Sequence, residues 1–209
     1  MDQRTDIMAW RRSERLRLIE ARLRVPVAER QAASQRISSH LEQYCRESRL
    51  LRPAMVVSGY WPLRGEPDLR PWLGALHEAG HVVVLPVVVQ KGAPLAFRRW
   101  FPGCAMEKGF WNIPVPVDRA EFTPQLLLAP VVGFDAKCYR LGYGGGYFDR
   151  TLALLRSLQV SFHAIGIGYA ATELPSIHPL PHDIALDVII TEASAPVVPR
   201  PGRYSATQA

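Results

Sequence analysis

The 209-residue chain has few cysteines and no long apolar run. Its three cysteines, Cys45, Cys104 and Cys138, form no Cys-x-x-Cys pair. Their number and spacing argue against a disulfide framework and against a zinc site, and they favour a reducing compartment. The longest apolar run, 82–89, contains a proline and is far shorter than the roughly 20 residues of a membrane-spanning helix. We therefore expect a cytoplasmic protein with no membrane anchor.

The positive charge of the chain is concentrated near its start. Residues 1–52 contain twelve arginines and seven acidic residues, which accounts for most of the net charge of +6. A basic region of this kind attracts polyanions such as nucleic acid, a nucleotide triphosphate or a polyglutamate tail, and charge alone does not choose among them. The first residues also lack the positive start and hydrophobic centre of a secretory signal.

Two helices are predicted in this basic region. Apolar residues recur at helical spacing from about Asp6 to Leu23 and from about Ala28 to Ser48, with Pro26 between the two segments. In the first helix we expect an apolar stripe with arginines around the rest. The expected stripe consists of Trp10, Leu16, Ile19 and Leu23. The arginines are Arg11, Arg12, Arg15, Arg22 and Arg24. In the second helix the expected buried residues are Ile37, Leu41 and Tyr44.

Beyond Pro53, short apolar segments alternate with helical ones. Segments 54–60, 68–79 and 81–88 have the pattern of a β-α-β unit. Further strands are predicted at 95–100, 126–131, 162–168 and 185–191, with a helix over 146–158. This order predicts an α/β fold, in which a mostly parallel sheet carries helices on both faces in a Rossmann-like three-layer arrangement. We expect one domain over 1–192, with 1–52 as a helical arm, and an extended or partly disordered tail over 193–209.

Loops at one edge of such a sheet are the expected place for a ligand. Right-handed crossovers between parallel strands bring the loops that follow the strands, including 59–66 and 133–146, to the same edge. Segment 102–123 is rich in proline and glycine and is longer than an ordinary connection. We expect it to form a lid or a wall of the site.

The most informative motif is Arg140-Leu-Gly-Tyr-Gly-Gly-Gly-Tyr-Phe-Asp149. Its glycines allow backbone N–H groups to approach an anion, and the helix predicted after it adds the positive end of its dipole. Neither the Walker nor the Rossmann glycine spacing is present. A purely structural glycine turn is the alternative interpretation, but the flanking Arg140, Asp149 and aromatic residues favour a phosphate site.

Other segments combine with this loop into a family pattern. They are Gly133-Phe-Asp-Ala-Lys137, Trp111-Asn-Ile-Pro114, Arg11-Arg-Ser-Glu-Arg15, Gly65-Glu66-Pro-Asp68, His182-Asp183 and Asp187-Val-Ile-Ile-Thr191-Glu192. Together they resemble the 5-formyltetrahydrofolate cyclo-ligases, also called methenyltetrahydrofolate synthetases, over nearly the whole chain. The resemblance implies closure of 5-formyltetrahydrofolate to 5,10-methenyltetrahydrofolate, dependent on ATP and Mg²⁺, with release of ADP and phosphate.

The resemblance also implies which residues form the site, with the helical arm contributing to ATP binding. The implied ATP-binding residues are Arg11, Arg15, Arg140, Leu141, Gly142, Tyr143, Gly144, Gly145, Gly146, Tyr147 and Phe148. The implied Mg²⁺ ligands are Asp149 and Asp183. The implied folate-binding residues are Trp61, Glu66, Trp111 and Tyr143 to Tyr147. Catalysis is assigned to Arg140, Tyr147 and Asp149. The family commonly has lysine where Arg11 stands, and a guanidinium fork contacts phosphate differently from an ammonium group.

Taken singly, these residues have ordinary explanations. Asp149 fits a helix cap, Asp183 a surface turn and Glu66 a solvated loop acid. Two other functions stay open at this stage, a folate-binding protein without turnover and an RNA-binding module that uses the basic helices. RNA is less favoured because the basic excess is confined to one arm. We expect a monomer that acts on a small-molecule substrate, 5-formyltetrahydrofolate, with or without a polyglutamate tail.

Overall fold

The computed structural model describes residues 3–193 and 195–199. The chain begins with two long helices, α1 (Gln3–Arg24) and α2 (Val27–Glu47). Pro26 is the N-cap of α2, so it ends the first helix without disturbing the second. The predicted helix pair is therefore confirmed. Among the described residues, no helix is long and apolar enough to cross a membrane.

The remainder of the chain alternates strands and helices. The strands are β1 (Val56–Ser58), β2 (Val82–Val87), β3 (Ala96–Arg99), β4 (Met106–Lys108), β5 (Pro114–Pro116), β6 (Leu126–Pro130), β7 (Gly133–Asp135), β8 (Arg140–Leu141), β9 (His163–Ile167), β10 (Glu173–Leu174) and β11 (Val188–Ile190). The later helices are α3 (Arg70–Glu78) and α4 (Tyr147–Ser157). Two 3-10 turns, Phe110–Asn112 and Ala170–Thr172, complete the elements of the described residues.

Six of these strands form the central sheet in the order β11-β9-β6-β1-β2-β3. All pairs are parallel except β2 with the edge strand β3. The predicted mostly parallel sheet is confirmed. Five short strands lie outside it, β10-β7-β8 in one sheet and β4-β5 in another. These strands have at most three residues each, which is too short to give a period in the sequence.

Helices cover both faces of the sheet and bury two cores. Strand β6 contributes alternate residues to them, because successive side chains of a strand point to opposite faces. Leu126 and Leu128 pack with α2 and α3, whereas Leu127 and Ala129 pack with α4. All four side chains are at most 1% exposed. The three-layer arrangement predicted from the order of elements is therefore present.

The buried face of α1 differs from the prediction. The apolar spacing places Leu16 and Leu23 in the buried stripe, but they are 55% and 50% exposed. Arg11 and Arg22, expected on solvated faces, are each 4% exposed. The prediction was wrong because α1 packs largely over loops, whose backbone carbonyl groups accept hydrogen bonds from these guanidinium groups. Leu18 supplies an apolar contact on the same face.

Part of the predicted tail lies against the sheet. Val197 forms an antiparallel bridge with Ile189 of β11, and its carbonyl accepts a hydrogen bond from the thiol of Cys138 at 3.2 Å. Residues 194 and 200–209 lie outside the described residues. The prediction of an extended or partly disordered tail stays a prediction for them.

Candidate functional site

The site lies at the carboxyl edge of the parallel strands. Loop 59–66 follows β1, and the segment that contains β7, β8 and the glycine loop follows β6, the neighbour of β1 in the sheet. Parallel neighbours have their carboxyl ends at the same edge, where α/β proteins bind ligands. Helix α1 packs over these loops, so the basic arm borders the candidate site.

The glycine loop, residues 140–146, leads directly into α4. Gly144 and Gly146 have φ angles of 92° and 64°, in the left-handed region that favours glycine. Gly146 is the N-cap of α4, and Asp149 lies in the first turn of that helix. The loop therefore ends at a helix N-terminus, which attracts an anion through its free N–H groups and its dipole.

Two glycines of this loop are expected to respond differently to alanine. A Cβ atom at Gly145 would lie 2.6 Å from the ring of Tyr147, whereas one at Gly142 would meet no described atom within 4 Å. We expect Gly145→Ala to lower the free energy of unfolding by about 1 kcal/mol or more, because the ring must move. Gly142→Ala should change it by less than about 0.5 kcal/mol. Urea unfolding tests both, and equal values would contradict the contact.

Arg140 and Asp149 form an ion pair at the base of the loop. Nη2 of Arg140 lies 3.0 Å from Oδ1 of Asp149, and the side chains are 4% and 20% exposed. The backbone of Ile184 joins the pair, since its carbonyl accepts from Arg140 at 2.9 Å and its N–H donates to Asp149 at 3.1 Å. Burial lowers the pKa of Arg140, and the charge of Asp149 opposes that change. The pair therefore ties β8, α4 and residue 184 together.

Asp183 is held by Arg11 of α1. Nη2 of Arg11 donates to Oδ2 of Asp183 at 2.5 Å, and the backbone N–H of Leu180 donates to the same oxygen at 2.6 Å. Arg11 also donates to the carbonyl groups of Ile177 and His178, at 3.0 and 2.8 Å. Burial favours a higher pKa for Asp183, but the hydrogen bonds from Arg11 and Leu180 lower it overall. Asp183 is thus ionised at neutral pH.

Asp149 and Asp183 are the predicted ligands of magnesium. Asp149 accepts the N–H of Ile184, which directly follows Asp183, and the charge of Asp183 acts on the pKa of Arg140, the ion-pair partner of Asp149. Mg²⁺ takes one or two carboxylates and completes its shell with phosphate oxygens and water. In the described part of the chain, no group of three or more His, Cys, Asp or Glu side chains is placed to hold a metal alone. The further ligands of a magnesium ion at these two carboxylates would therefore be phosphate oxygens or water.

Arg15 connects α1 with the glycine loop. Its Nε atom donates to the carbonyl of Gly142 at 2.8 Å, and its Cζ atom lies 3.5 Å from the position that a Cβ would take at Gly144. The side chain is half-buried, and burial lowers its pKa. This contact places a guanidinium group beside the predicted triphosphate site.

Glu66 is a buried carboxylate, which excludes its interpretation as a solvated loop acid. The residue is 6% exposed. Its Oε2 atom accepts the N–H of Leu63 at 2.9 Å, whereas Oε1 is buried and has no hydrogen-bond partner among the described residues. Burial raises the pKa of Glu66 to about 6, although the Leu63 N–H, the charge of Arg22 and the Tyr143 hydroxyl act in the other direction. A buried acceptor without a partner is costly, and an N–H donor of a ligand would satisfy it.

Arg22 lies beside Glu66 and is the clearest residue that the sequence reasoning missed. Its Nε atom donates to the carbonyl of Arg64 at 2.9 Å and its Nη2 atom to the hydroxyl of Tyr143 at 2.8 Å. The signal was the spacing of Arg11, Arg15 and Arg22, which recur after four and seven residues on one face of the helix.

Trp111 and Tyr147 form an aromatic pair next to the glycine loop. Their ring centroids are 5.7 Å apart with an interplanar angle of 73°. Trp111 has a φ angle of 55°, which is unfavourable for a bulky side chain, and it is 59% exposed. Arg150, also missed from the sequence, lies 4.9 Å from the Tyr147 ring centroid and donates to the carbonyl of Gly145. An exposed tryptophan on strained backbone is typical of a binding surface.

Trp61 has different surroundings. The guanidinium of Arg70 lies 4.9 Å from its ring centroid, and the ring packs against the core on the side of α2 and α3. Arg70 in turn pairs with Asp68 at 2.6 Å. The contacts of Trp61 do not include the glycine loop among the described residues, so its role in folate binding stays a prediction.

A cavity of about 360 Å³ lies between α1, α2 and the 3-10 turn at 170–172. It adjoins the loop of Glu66, because Arg22 and Tyr169 line it and donate to the carbonyl groups of Arg64 and Gly65. Within the described ranges, none of the residues predicted to bind ATP, metal or folate lines this cavity. The predicted ligand-binding residues lie instead at the neighbouring loop edge, and Arg22 contacts both regions.

The sequence matches the model of the 5-formyltetrahydrofolate cyclo-ligase family over residues 7–192. The chain belongs to this family. A 5-formyltetrahydrofolate cyclo-ligase of Mycolicibacterium smegmatis is 30% identical over 185 residues, which cover 85% of this chain and 91% of that protein. The corresponding protein of Haemophilus influenzae is 29% identical over 146 residues, which cover 66% and 77%. The resemblance noted in the sequence is confirmed.

Solved structures of methenyltetrahydrofolate synthetases share the fold. The protein of Aquifex aeolicus has a TM-score of 0.74 and 26% identity, with 92% of this chain and 94% of that chain covered. The protein of Mycoplasma pneumoniae has a TM-score of 0.68 and 22% identity, covers 88% and 99%, and supports the fold alone. This member of the cyclo-ligase family is thus a ligase with a mostly parallel α/β fold.

Proposed function

We propose that this ligase closes 5-formyltetrahydrofolate to 5,10-methenyltetrahydrofolate with ATP and Mg²⁺, through the residues of the carboxyl-edge site. One observation carries the proposal. A single loop, 140–146, ends at the N-terminus of α4 beside Asp149 and also carries Tyr143, whose hydroxyl lies beside the buried Glu66. A phosphate-binding end and an acceptor for a folate ring therefore belong to one site, beneath the same helix α1.

The nucleotide end consists of the loop, α4 and two arginines of α1. Backbone N–H groups of the loop and of the first turn of α4 would hold the triphosphate. Arg15 and Arg11 bring positive charge to this end, and Arg140 lies at its base. Asp149 and Asp183 would hold Mg²⁺, which supplies neutralisation of phosphate charge.

The folate end consists of Glu66 and the aromatic residues. The free Oε1 of Glu66 would accept N–H donors of the pterin ring. Tyr143, Tyr147 and Trp111 are partly or largely exposed and form an aromatic surface along the loop. Flat apolar rings suit the rings of folate. This division assigns a separate role to each end of the site.

The chemistry needs activation of a poor leaving group. The formyl oxygen of the substrate attacks the γ-phosphorus of ATP, and ADP leaves with the electron pair of the broken P–O bond. N10 then attacks the formyl carbon, N10 loses its proton, and phosphate departs with the C–O electron pair. The side chains position the reactants and balance charge, which is the main requirement of phosphoryl transfer. The sequence of steps needs no covalent enzyme intermediate.

A direct assay tests the proposal. Purified protein mixed with 5-formyltetrahydrofolate, ATP and Mg²⁺ should produce the near-ultraviolet absorbance of the conjugated methenyl product. Omission of ATP should stop its growth, and excess EDTA should reduce it in a way that added Mg²⁺ reverses. Folate binding by calorimetry without product would favour a binding protein. Salt-dependent RNA binding without either would favour the RNA-binding alternative.

We infer one catalytic domain over 1–192 that acts as a monomer in the cytoplasm and accepts substrate with or without a polyglutamate tail. Three free cysteines fit a reducing compartment. Light scattering would test the monomer, and KM values for mono- and polyglutamylated substrate would test the tail.

A further inference from the structure

Arg22 is buried where α1 meets the two loops of the folate end. Within the described residues, it forms no ion pair with a carboxylate within 4.0 Å, although it is 4% exposed. Its partners are the neutral carbonyl of Arg64 and the hydroxyl of Tyr143. Burial of a cation without a paired anion is costly. Such an arrangement needs a compensating charge or a ligand nearby.

The complementary charge is Glu66. This carboxylate is also buried, and one of its oxygens has no hydrogen-bond partner in the described part of the chain. The Tyr143 hydroxyl lies beside both groups, since it accepts from Arg22 and its interaction with Glu66 affects the pKa of each side chain. Arg22 and Glu66 thus act on each other across this hydroxyl, and the free carboxylate oxygen stays available.

We propose that Arg22 is a positioning residue of the cyclo-ligase site, which fixes Tyr143 and the Glu66 loop so that the free carboxylate oxygen receives N–H donors of the folate. The inference rests on the proposed function of the site. Arg22 reaches the loop of Glu66 through the Arg64 carbonyl and the glycine loop through Tyr143. Arg22 therefore fixes the separation between these two loops, and we propose that a ring of the folate binds between them.

The charge of Arg22 also affects the ionisation of Glu66, together with burial and the Leu63 N–H. Besides burial, the groups that act on the pKa of Glu66 are the N–H of Leu63, Arg22 from α1 and Tyr143 from the glycine loop, and Glu66 in turn raises the pKa of Tyr60 at the end of β1. Burial raises the pKa of both tyrosines, so they are neutral at physiological pH. Arg22 is the cation of this set and lowers the pKa of Glu66. Loss of Arg22 would therefore shift the titration of Glu66 to higher pH.

The experiment compares Arg22→Gln and Arg22→Lys with a matched control, Arg24→Gln. Arg24 is on the same helix, and its side chain is 80% exposed. For each protein, folate binding is measured by calorimetry without ATP, and kcat and both KM values are measured across pH on either side of about 6, where Glu66 titrates. Circular dichroism and thermal unfolding establish that each variant is folded.

Folate binding should weaken at low pH as Glu66 becomes protonated, and we call this part of the pH profile the acid limb. In Arg22→Gln the acid limb should move to higher pH. The folate Kd and KM should rise about tenfold at about pH 5, below the pKa of Glu66, where a pKa shift of one unit has its full effect, and only about twofold at neutral pH. The KM for ATP should stay close to that of the wild type. Arg22→Lys keeps the charge and should keep the position of the acid limb, although its single ammonium group replaces a two-pronged contact. Arg24→Gln should match the wild type throughout.

Three results would overturn the proposal. One is an unmoved acid limb in Arg22→Gln, and another is an equal rise of both KM values, which would indicate a general structural role. The third is that neither Arg22 variant folds, which would make Arg22 a residue of the fold alone. Failure of the proposed function would be recognised separately, because the wild type would then form no methenyl product. The calorimetric comparison of folate binding tests the role of Arg22 without turnover.

Discussion

Asp149→Asn is expected to lower kcat by about a hundredfold or more, because weaker binding of Mg²⁺ would remove a positive charge that stabilises the transition state. Asp149 is one of the two carboxylates proposed to hold Mg²⁺, and it is the counter-ion of Arg140. An asparagine Oδ1 can still accept from the N–H of Ile184 and from Arg140, so the fold should persist. The weaker acceptor should cost about 2 kcal/mol of stability.

The measurement is the initial rate of methenyl formation as a function of Mg²⁺ and ATP concentration, with urea unfolding alongside. Asp118→Asn is the matched control, because Asp118 is an exposed carboxylate that likewise accepts a backbone N–H, that of Ala120. This control should keep the wild-type rate and Mg²⁺ dependence. A folded Asp149→Asn protein with an unchanged rate and Mg²⁺ dependence would remove Asp149 from the metal site.

Glu66→Gln should weaken folate binding by about ten- to a hundredfold, because hydrogen bonds to a charged acceptor contribute about 1.5–3 kcal/mol. The carboxamide nitrogen would repel the N–H donors that the free Oε1 is proposed to accept. The KM for ATP should change little, since the nucleotide end does not include Glu66. Calorimetric titration with 5-formyltetrahydrofolate checks the affinity, and Glu173→Gln, on the exposed side of β10, is the control. Equal affinities for both variants would contradict the role of Glu66.

The same substitution should stabilise the fold at neutral pH. Burial raises the pKa of Glu66 from 4.5 to about 6. Because the folded protein holds this proton more tightly than the unfolded chain, the wild type loses stability as pH rises from 4.5 through about 6, by on the order of 2 kcal/mol. Glutamine cannot ionise, so Glu66→Gln should not lose this stability. The difference in free energy of unfolding between the variant and the wild type should be absent below pH 4.5 and should reach its full value above about pH 6. Urea unfolding at several pH values tests the sign, and a variant that is less stable at neutral pH would contradict it.

The fold was largely predictable because its signals are local. Alternating apolar segments and helical periods predicted the parallel sheet, α2 and α4, and β1 and β6 lie within their predicted ranges. The two- and three-residue strands β7, β8 and β10 were missed. They form because three segments that are distant in the chain meet at the edge of the sheet. Strands this short have no apolar period that would reveal them in the sequence.

The candidate site divides in the same way. The glycine loop, Asp149 and Asp183 could be found from the sequence because their residue types carry the chemistry and stand in a recognisable pattern. The side chains and backbone groups that contact these residues could not be found from the sequence. Arg22 and Arg24 are the same residue type on the same helix, so the sequence does not distinguish them. Only the packing of α1 over polar loops does, since Arg22 is 4% exposed and the side chain of Arg24 is 80% exposed.

The sequence by itself determined the resemblance to the family, the α/β order of elements and the glycine loop for which we propose phosphate binding, because glycine spacing, apolar periods and charged motifs are local properties of the chain. Only the tertiary structure decided which charges are buried and what they contact. It paired Arg11 with Asp183 across 172 positions, and it left one oxygen of Glu66 without a partner within the described residues. Burial and ionisation depend on neighbours that are remote in the chain, so the protonation of the site is a property of the fold.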